Sequence, residues 1–178
     1  MTERIEPLRI ETVYRGRIFD LQIETIPLPN GRELRAEIVR HPGSVVLIPV
    51  TESGEIVLVR QYRHPIGGPA WELPAGSVKP GEDVRQAAAR ECQEETGQIP
   101  TSLEHLGAFF PTPGYCDEKM HVFKATGLRT PGPADPVACQ DADEDIETRS
   151  FTRKDLGQMV ASGDIVDLKT VAGLFLLA

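Results

Sequence analysis

The chain has 178 residues, 40% of them hydrophobic, which fits one domain with an extension and a sizeable core and argues against disorder. Its 19 Lys and Arg against 27 Asp and Glu leave a net charge of −8, which excludes non-specific electrostatic binding of nucleic acid or anionic membrane. Cys92, Cys116 and Cys139 are odd in number and lack CxxC spacing, so a disulfide framework or zinc site is not expected and a reducing cytosol is.

The N-terminal MTERIEPLRIE alternates charged and apolar residues without a signal-peptide core, and no apolar run approaches membrane-spanning length. Residues 9–40 read as short strands: IETVY, then RIFDLQIETIPL, then RELRAEIVRH, with a hairpin turn at Pro29-Asn30-Gly31. Two buried strands are expected at Ser44–Val50 and Ile56–Gln61, then a Pro- and Gly-rich stretch from Pro65 to Gly81. Residues 83–96 form the best helix, with Asp83 at its start and Gly97 just past its end. Strands are expected at Leu103–Phe110, Met120–Ala125 and 146–151, around a loop at 129–145 that runs from PGPADP into an acidic stretch. Two short helices, Arg153–Ser162 and Leu168–Leu177, close the chain.

On the 83–96 helix each side chain lies about 100° on from the last. Val84, Ala87, Ala88 and Cys92 make one stripe, and Arg85, Gln86, Ala89, Gln93 and Thr96 lie on the other side. Glu91 and Glu95 fall within roughly 20° of Val84, on the stripe that should face the core. Three carboxylates, Glu91, Glu94 and Glu95, then crowd together at i, i+3 and i+4 and repel one another. Arg90 is the only nearby cation on the helix and can pair with Glu94 but not with all three. A solvated acidic face is the plain interpretation of such a run. Inward placement favours a site for a hard divalent cation, Mg²⁺ or Mn²⁺.

With its upstream residues the segment reads GSVKPGEDVRQAAARECQEETG. It resembles the Nudix box at Gly76, Glu82, Arg90, Glu91, Cys92, Glu94, Glu95 and Gly97. The one departure is Gln98, where an apolar residue is usual. The resemblance implies an α/β fold, the Nudix α/β/α sandwich with a mixed sheet, over residues 41–178, and an antiparallel β extension over residues 1–40. It implies hydrolysis of a nucleoside diphosphate linked to a second group, with Glu91, Glu94 and Glu95 as metal ligands, Glu82 assisting and Arg90 orienting the carboxylates.

Four further segments resemble the ADP-ribose pyrophosphatase subfamily. WELPAG at 71–76 implies a metal-ligand carbonyl at Ala75 and a substrate role for Glu72. FFPTPGYCDEKMHVF at 109–123 implies substrate contacts from Pro113, Gly114 and Glu118. VRQYRHP at 59–65 implies that Arg60 and Arg63 reach the diphosphate, and residues 9–40 match a dimerisation extension. Ordinary alternatives stand beside each: Pro113-Gly114 as a turn, Glu118 as a surface acid, Arg60 and Arg63 as members of surface pairs. In DADEDIE at 141–147, Glu144 aligns with a mobile-loop general base, with Glu94 or Glu95 as the rival and a plain acidic loop as the alternative. The expected reaction is ADP-ribose to AMP and ribose 5-phosphate by a cytoplasmic homodimer. GDP-mannose or another ADP-sugar is the second substrate choice, and nucleotide-pool or RNA-cap hydrolysis is less favoured. A ligand-sensing module without catalysis would have a damaged box, and every acidic position here is intact.

Overall fold

The computed structural model describes residues 5–136 and 145–177, which fall into two compact units. The first unit holds the chain up to Gly43 together with Phe110–Lys119. Its strands β1 (Arg9–Arg15), β2 (Asp20–Pro27) and β3 (Glu33–Arg40) form an antiparallel meander in that order. The β2–β3 hairpin turns where expected, with Gly31 at φ 77° donating its N–H to the Leu28 carbonyl. Arg40 knits this unit together: its guanidinium donates to Glu24, to Asp117 at 2.8 Å and to Gln22 at 3.1 Å. Glu24 is only 4% exposed, so that pairing is what makes its burial tolerable. The meander leaves Ile10, Val13, Tyr14, Ile18 and Phe19 exposed.

The second unit runs from Ser44 to Phe109 and resumes at Met120. Strands β4 (Ser44–Pro49), β5 (Ile56–Arg63), β6 (Gly68–Glu72), β7 (Ala75–Ser77), β8 (Ser102–Phe109), β9 (Met120–Thr126) and β10 (Glu147–Phe151) build two sheets. One is four-stranded and mixed, ordered β7-β4-β9-β8 with β4 and β9 parallel. The other is antiparallel, ordered β10-β5-β6. The helices are α1 (Val84–Thr96), α2 (Arg153–Ser162) and α3 (Leu168–Leu176).

Strand β4 is buried along its whole length, and its alternation sets the layers. Val45 and Leu47, with Phe123 and Ala125 of β9, pack against Ala87, Ala88 and Cys92 of α1. Val46 and Ile48, with Met120 and Val122, turn the other way, to Ile56 and Leu58 of β5 and to Leu156 of α2. The order is therefore α1, mixed sheet, then the second sheet with the C-terminal helices, which is the expected sandwich. The sequence reading missed β6 and β7, which lie inside the Pro- and Gly-rich stretch. Among the described residues no helix is long and apolar enough to cross a membrane.

Candidate active site

Helix α1 is fixed at both ends. Asp83 caps it by accepting the Arg85 N–H at 2.8 Å, and Gly97 ends it at φ 69°, donating to the Gln93 carbonyl. Its apolar stripe is buried in the core, so Glu91 and Glu95, on the same stripe, are carried inward to 9% and 4% exposure. The strand they meet is β7, paired with β4 through Val45 opposite Gly76 and Val46 opposite Ala75. Glu95 accepts the Ala75 N–H at 3.1 Å. The Glu91 carboxylate lies so close to Gly76 that a Cβ there would sit 2.1 Å from its Cδ. Only glycine leaves room for it.

Arg90 organises the rest. Its Nε and Nη2 grip Glu82 side-on at 2.7 and 2.9 Å, and Nη1 donates to Glu91 and to Glu94, both at 2.6 Å. Nη2 also donates to the Ser77 carbonyl at 3.1 Å, tying the group to β7. Arg90 thus reaches Glu82 and Glu91 besides the Glu94 that helical spacing alone predicts. The Glu82 bond is the first cause that raises the Arg90 pKa, and the same bond holds Glu82 below the usual carboxylate range. Burial pushes Glu91 up despite its bond to Arg90, because Glu91 is desolvated more deeply than Glu82.

Lys79 stands 3.9 Å from Glu94. Glu82, Glu91 and Glu94 therefore share Arg90, with Lys79 beside Glu94, so three carboxylates meet two cations among these five residues. Among the described residues no three His, Cys, Asp or Glu side chains converge as a ready-made metal cage, since Arg90 draws Glu91 and Glu94 onto itself. The donor chemistry nevertheless fits a hard divalent cation: only oxygens, carboxylates that outnumber the cations bonded to them, and a glycine that keeps the cradle open.

A second charged group lies on the same unit. Arg63 donates from Nε and Nη2 to the two oxygens of Glu72 at 2.8 and 2.9 Å. Glu72 is 3% exposed and takes a second cation, Lys169 of α3. Lys169 also meets the α3 cap residue Asp167 at 3.0 Å. The Arg63 guanidinium is raised by the Glu72 bond first, and the charge of Glu95 adds to the rise. For Glu72, burial works to raise the pKa, but the bonds from Arg63 and Lys169 win and lower it.

Arg60 is exposed, 3.3 Å from Glu147 and over the Trp71 ring at 5.9 Å. Pro113 and Gly114 lie on an exposed turn of the first unit, where the Tyr115 and Cys116 N–H groups donate to the Thr112 carbonyl. Glu118 follows in the same segment, its N–H donating to Cys116 Sγ. Glu144 lies outside the described residues. Two residues were missed from sequence. Gln93, assigned to the polar side of α1, is buried and donates to the Pro136 carbonyl at 2.8 Å. Lys169 lies 97 positions from its partner Glu72. A lysine in the first turn of a helix was the available signal for it, since that end repels cations.

A family model of the NUDIX domain matches residues 40–172. An ADP-ribose pyrophosphatase of Bacillus subtilis (strain 168) is 38% identical over 160 residues, 90% of this chain and 85% of that protein. A methanol dehydrogenase activator of Bacillus methanolicus is 38% identical over 164 residues, 92% of this chain and 87% of that protein. A crystal structure of an ADP compounds hydrolase superposes with a TM-score of 0.81 over 98% of this chain and 92% of that one, at 23% identity, a likeness of fold.

Proposed function

The chain belongs to the Nudix family, and on that premise we propose that it hydrolyses the diphosphate of a nucleoside diphosphate sugar, ADP-ribose above all, to AMP and ribose 5-phosphate. The observation that carries this reading is the buried box cluster, in which three carboxylates share the single Arg90 against the Gly76 strand. The name of the Bacillus subtilis relative supports the choice of ADP-ribose.

Glu91, Glu94, Glu95 and the Ala75 carbonyl would hold Mg²⁺, with Mn²⁺ as a substitute. Bound there, the cation would offset the charge of the diphosphate and acidify a water molecule. Arg90 keeps Glu91 and Glu94 together and, through Ser77, in register with β7. Arg63 is held by Glu72 through Nε and Nη2, and among the described residues its Nη1 has no bond, so it retains donors for a phosphate oxygen. Arg60 is the second arginine of the same strand. Glu72, Pro113, Gly114 and Glu118 are the remaining substrate contacts of this reading. Glu144 is its general base, taking the proton of the attacking water, with Glu94 as the rival.

The chain works as a homodimer in this reading, because β1 and the residues that follow it expose Ile10, Val13, Tyr14, Ile18 and Phe19, an apolar surface that a second copy would cover. Light scattering at micromolar concentration should give twice the monomer mass, and Val13→Asp should reduce it. A cytosolic location is in keeping with the unpaired Cys92 and Cys116. The test of substrate is a panel of ADP-ribose, GDP-mannose, ADP-glucose, diadenosine polyphosphates and 8-oxo-dGTP, each with Mg²⁺ or Mn²⁺. ADP-ribose should give the highest kcat/KM. Hydrolysis of GDP-mannose in preference would move the assignment to that sugar, and no hydrolysis of any would leave a binding module.

A further inference from the structure

Lys169 breaks a local rule. It is the second residue of α3, where the helix N-terminus disfavours a cation, yet its side chain is only 17% exposed. Such a choice calls for compensation from tertiary structure. The compensation is Glu72, a carboxylate that Arg63 already satisfies through two hydrogen bonds. Glu72 is therefore shared between two cations, and the second of them, Lys169, also meets Asp167. The contact is held by a neighbour, since the Thr170 hydroxyl accepts the Leu73 N–H at 2.8 Å and docks the first turn of α3 onto the residue next to Glu72.

The consequence falls on Arg63. Paired with Glu72 alone, its guanidinium would be fixed in place but electrically cancelled. With Lys169 drawing on the same Oε2 that Arg63 Nη2 uses, the carboxylate still fixes Arg63 but offsets its charge less fully. Asp167 in turn steadies the lysine at 3.0 Å. Resting on the reading of Arg63 as a diphosphate contact, we propose that Lys169 is a positioning residue that keeps Arg63 electropositive toward the diphosphate by sharing Glu72. It acts through Glu72 and Arg63, without touching the substrate.

The test uses the full chain with ADP as the probe, titrated by calorimetry in the presence of Mg²⁺, beside steady-state rates on ADP-ribose. Lys169→Met should weaken ADP about tenfold, one pairwise charge interaction at partly buried dielectric. The loss should fall on KM rather than on kcat. Lys169→Gln keeps a donor for Glu72 without the charge and should behave like Lys169→Met, which covers the case in which the methionine variant fails to fold. Lys169→Arg should return ADP affinity to within about threefold of wild type. In Glu72→Gln, where no carboxylate remains to be shared, adding Lys169→Gln should change ADP affinity less than twofold. Wild-type affinity in Lys169→Gln would overturn the proposal. So would a fall in melting temperature with kcat and KM damaged alike and no rescue by arginine, because that pattern is structural. Failure of wild type to hydrolyse ADP-ribose would refute the functional reading and leave the ADP titration to decide the role of Lys169.

Discussion

The second unit holds two buried glutamate clusters, and they balance their charge differently. Around Glu72 the count closes: Arg63 and Lys169 face Glu72 and Asp167. Around Glu91 it stays open: Glu82, Glu91 and Glu94 share the single Arg90, with Lys79 beside Glu94, and Glu95 acts on an Arg63 already held by Glu72. A closed cluster is able to hold its geometry by itself. An open one carries unrelieved repulsion, which a folded protein keeps only where a ligand relieves it. Gly76 points the same way, since the backbone beside Glu91 is pared down to admit the carboxylate. Stability should therefore reside in the first cluster and catalysis in the second.

The largest effect should come from the open cluster. Glu91→Gln and Glu95→Gln should each lower kcat by about a thousandfold or more, because an amide is a poor ligand for a hard cation. Melting temperature should hold or rise, since a like charge is removed and a glutamine at 95 still accepts the Ala75 N–H. Gly76→Ala should cost a similar factor by displacing the Glu91 carboxylate. Near-normal rates in both glutamine variants would remove the cluster from the chemistry and undo the contrast between the two groups.

A smaller effect sharpens what the open cluster does. If Glu144 is the base, Glu144→Gln should lower kcat about a hundredfold with Mg²⁺ affinity little changed. If the rate stays within a few-fold while Glu94→Gln abolishes it, the base belongs to α1 and the cluster does more than hold a cation.

Acid should find the closed cluster. Glu72 has its pKa lowered in the folded state, so its contribution to stability is fully present above the ordinary carboxylate value of 4.5 and is lost as pH falls through the folded value. The melting temperatures of wild type and Glu72→Gln should lie furthest apart at neutral pH and converge below about pH 4. A gap independent of pH would show that packing, and not charge, fixes Glu72.

The open cluster was more legible in sequence than the closed one. Helical angles alone turned Glu91 and Glu95 inward, because their neighbours Ala88 and Cys92 are apolar and the period is fixed. The same angles misplaced Gln93, whose burial comes from the Pro136 carbonyl 43 positions away, and undercounted the reach of Arg90. In the closed cluster, Glu72 and Lys169 meet only through the fold. Strands β6 and β7 were missed because GPAWE and AGS are too short to show a period and are rich in Pro and Gly, so their pairing is imposed by β5 and β4.

The smallest expected effect concerns a neutral group that neither cluster serves. Gln98 follows the helix end, at the one box position that departs from the apolar pattern. Its Oε1 is buried, and among the described residues it has no hydrogen-bond partner. The two glutamate clusters show how this fold treats buried charge: it brings arginine and lysine to the carboxylates. A buried amide oxygen has no such remedy and costs its desolvation outright. Gln98→Leu removes the orphan and keeps a similar volume, so it should raise stability by about 1 kcal/mol. Denaturant unfolding would read this as a higher midpoint at unchanged slope. Turnover should stay as in wild type, since Gln98 lies beyond the Gly97 cap and, among the described residues, its backbone bond goes to Thr96 and not to Arg90 or the box carboxylates. A stability loss would mean that the Gln98 side chain helps hold the chain after α1, beyond the bond its backbone N–H donates to Thr96 Oγ1, and that the apolar preference of this position does not apply to this fold.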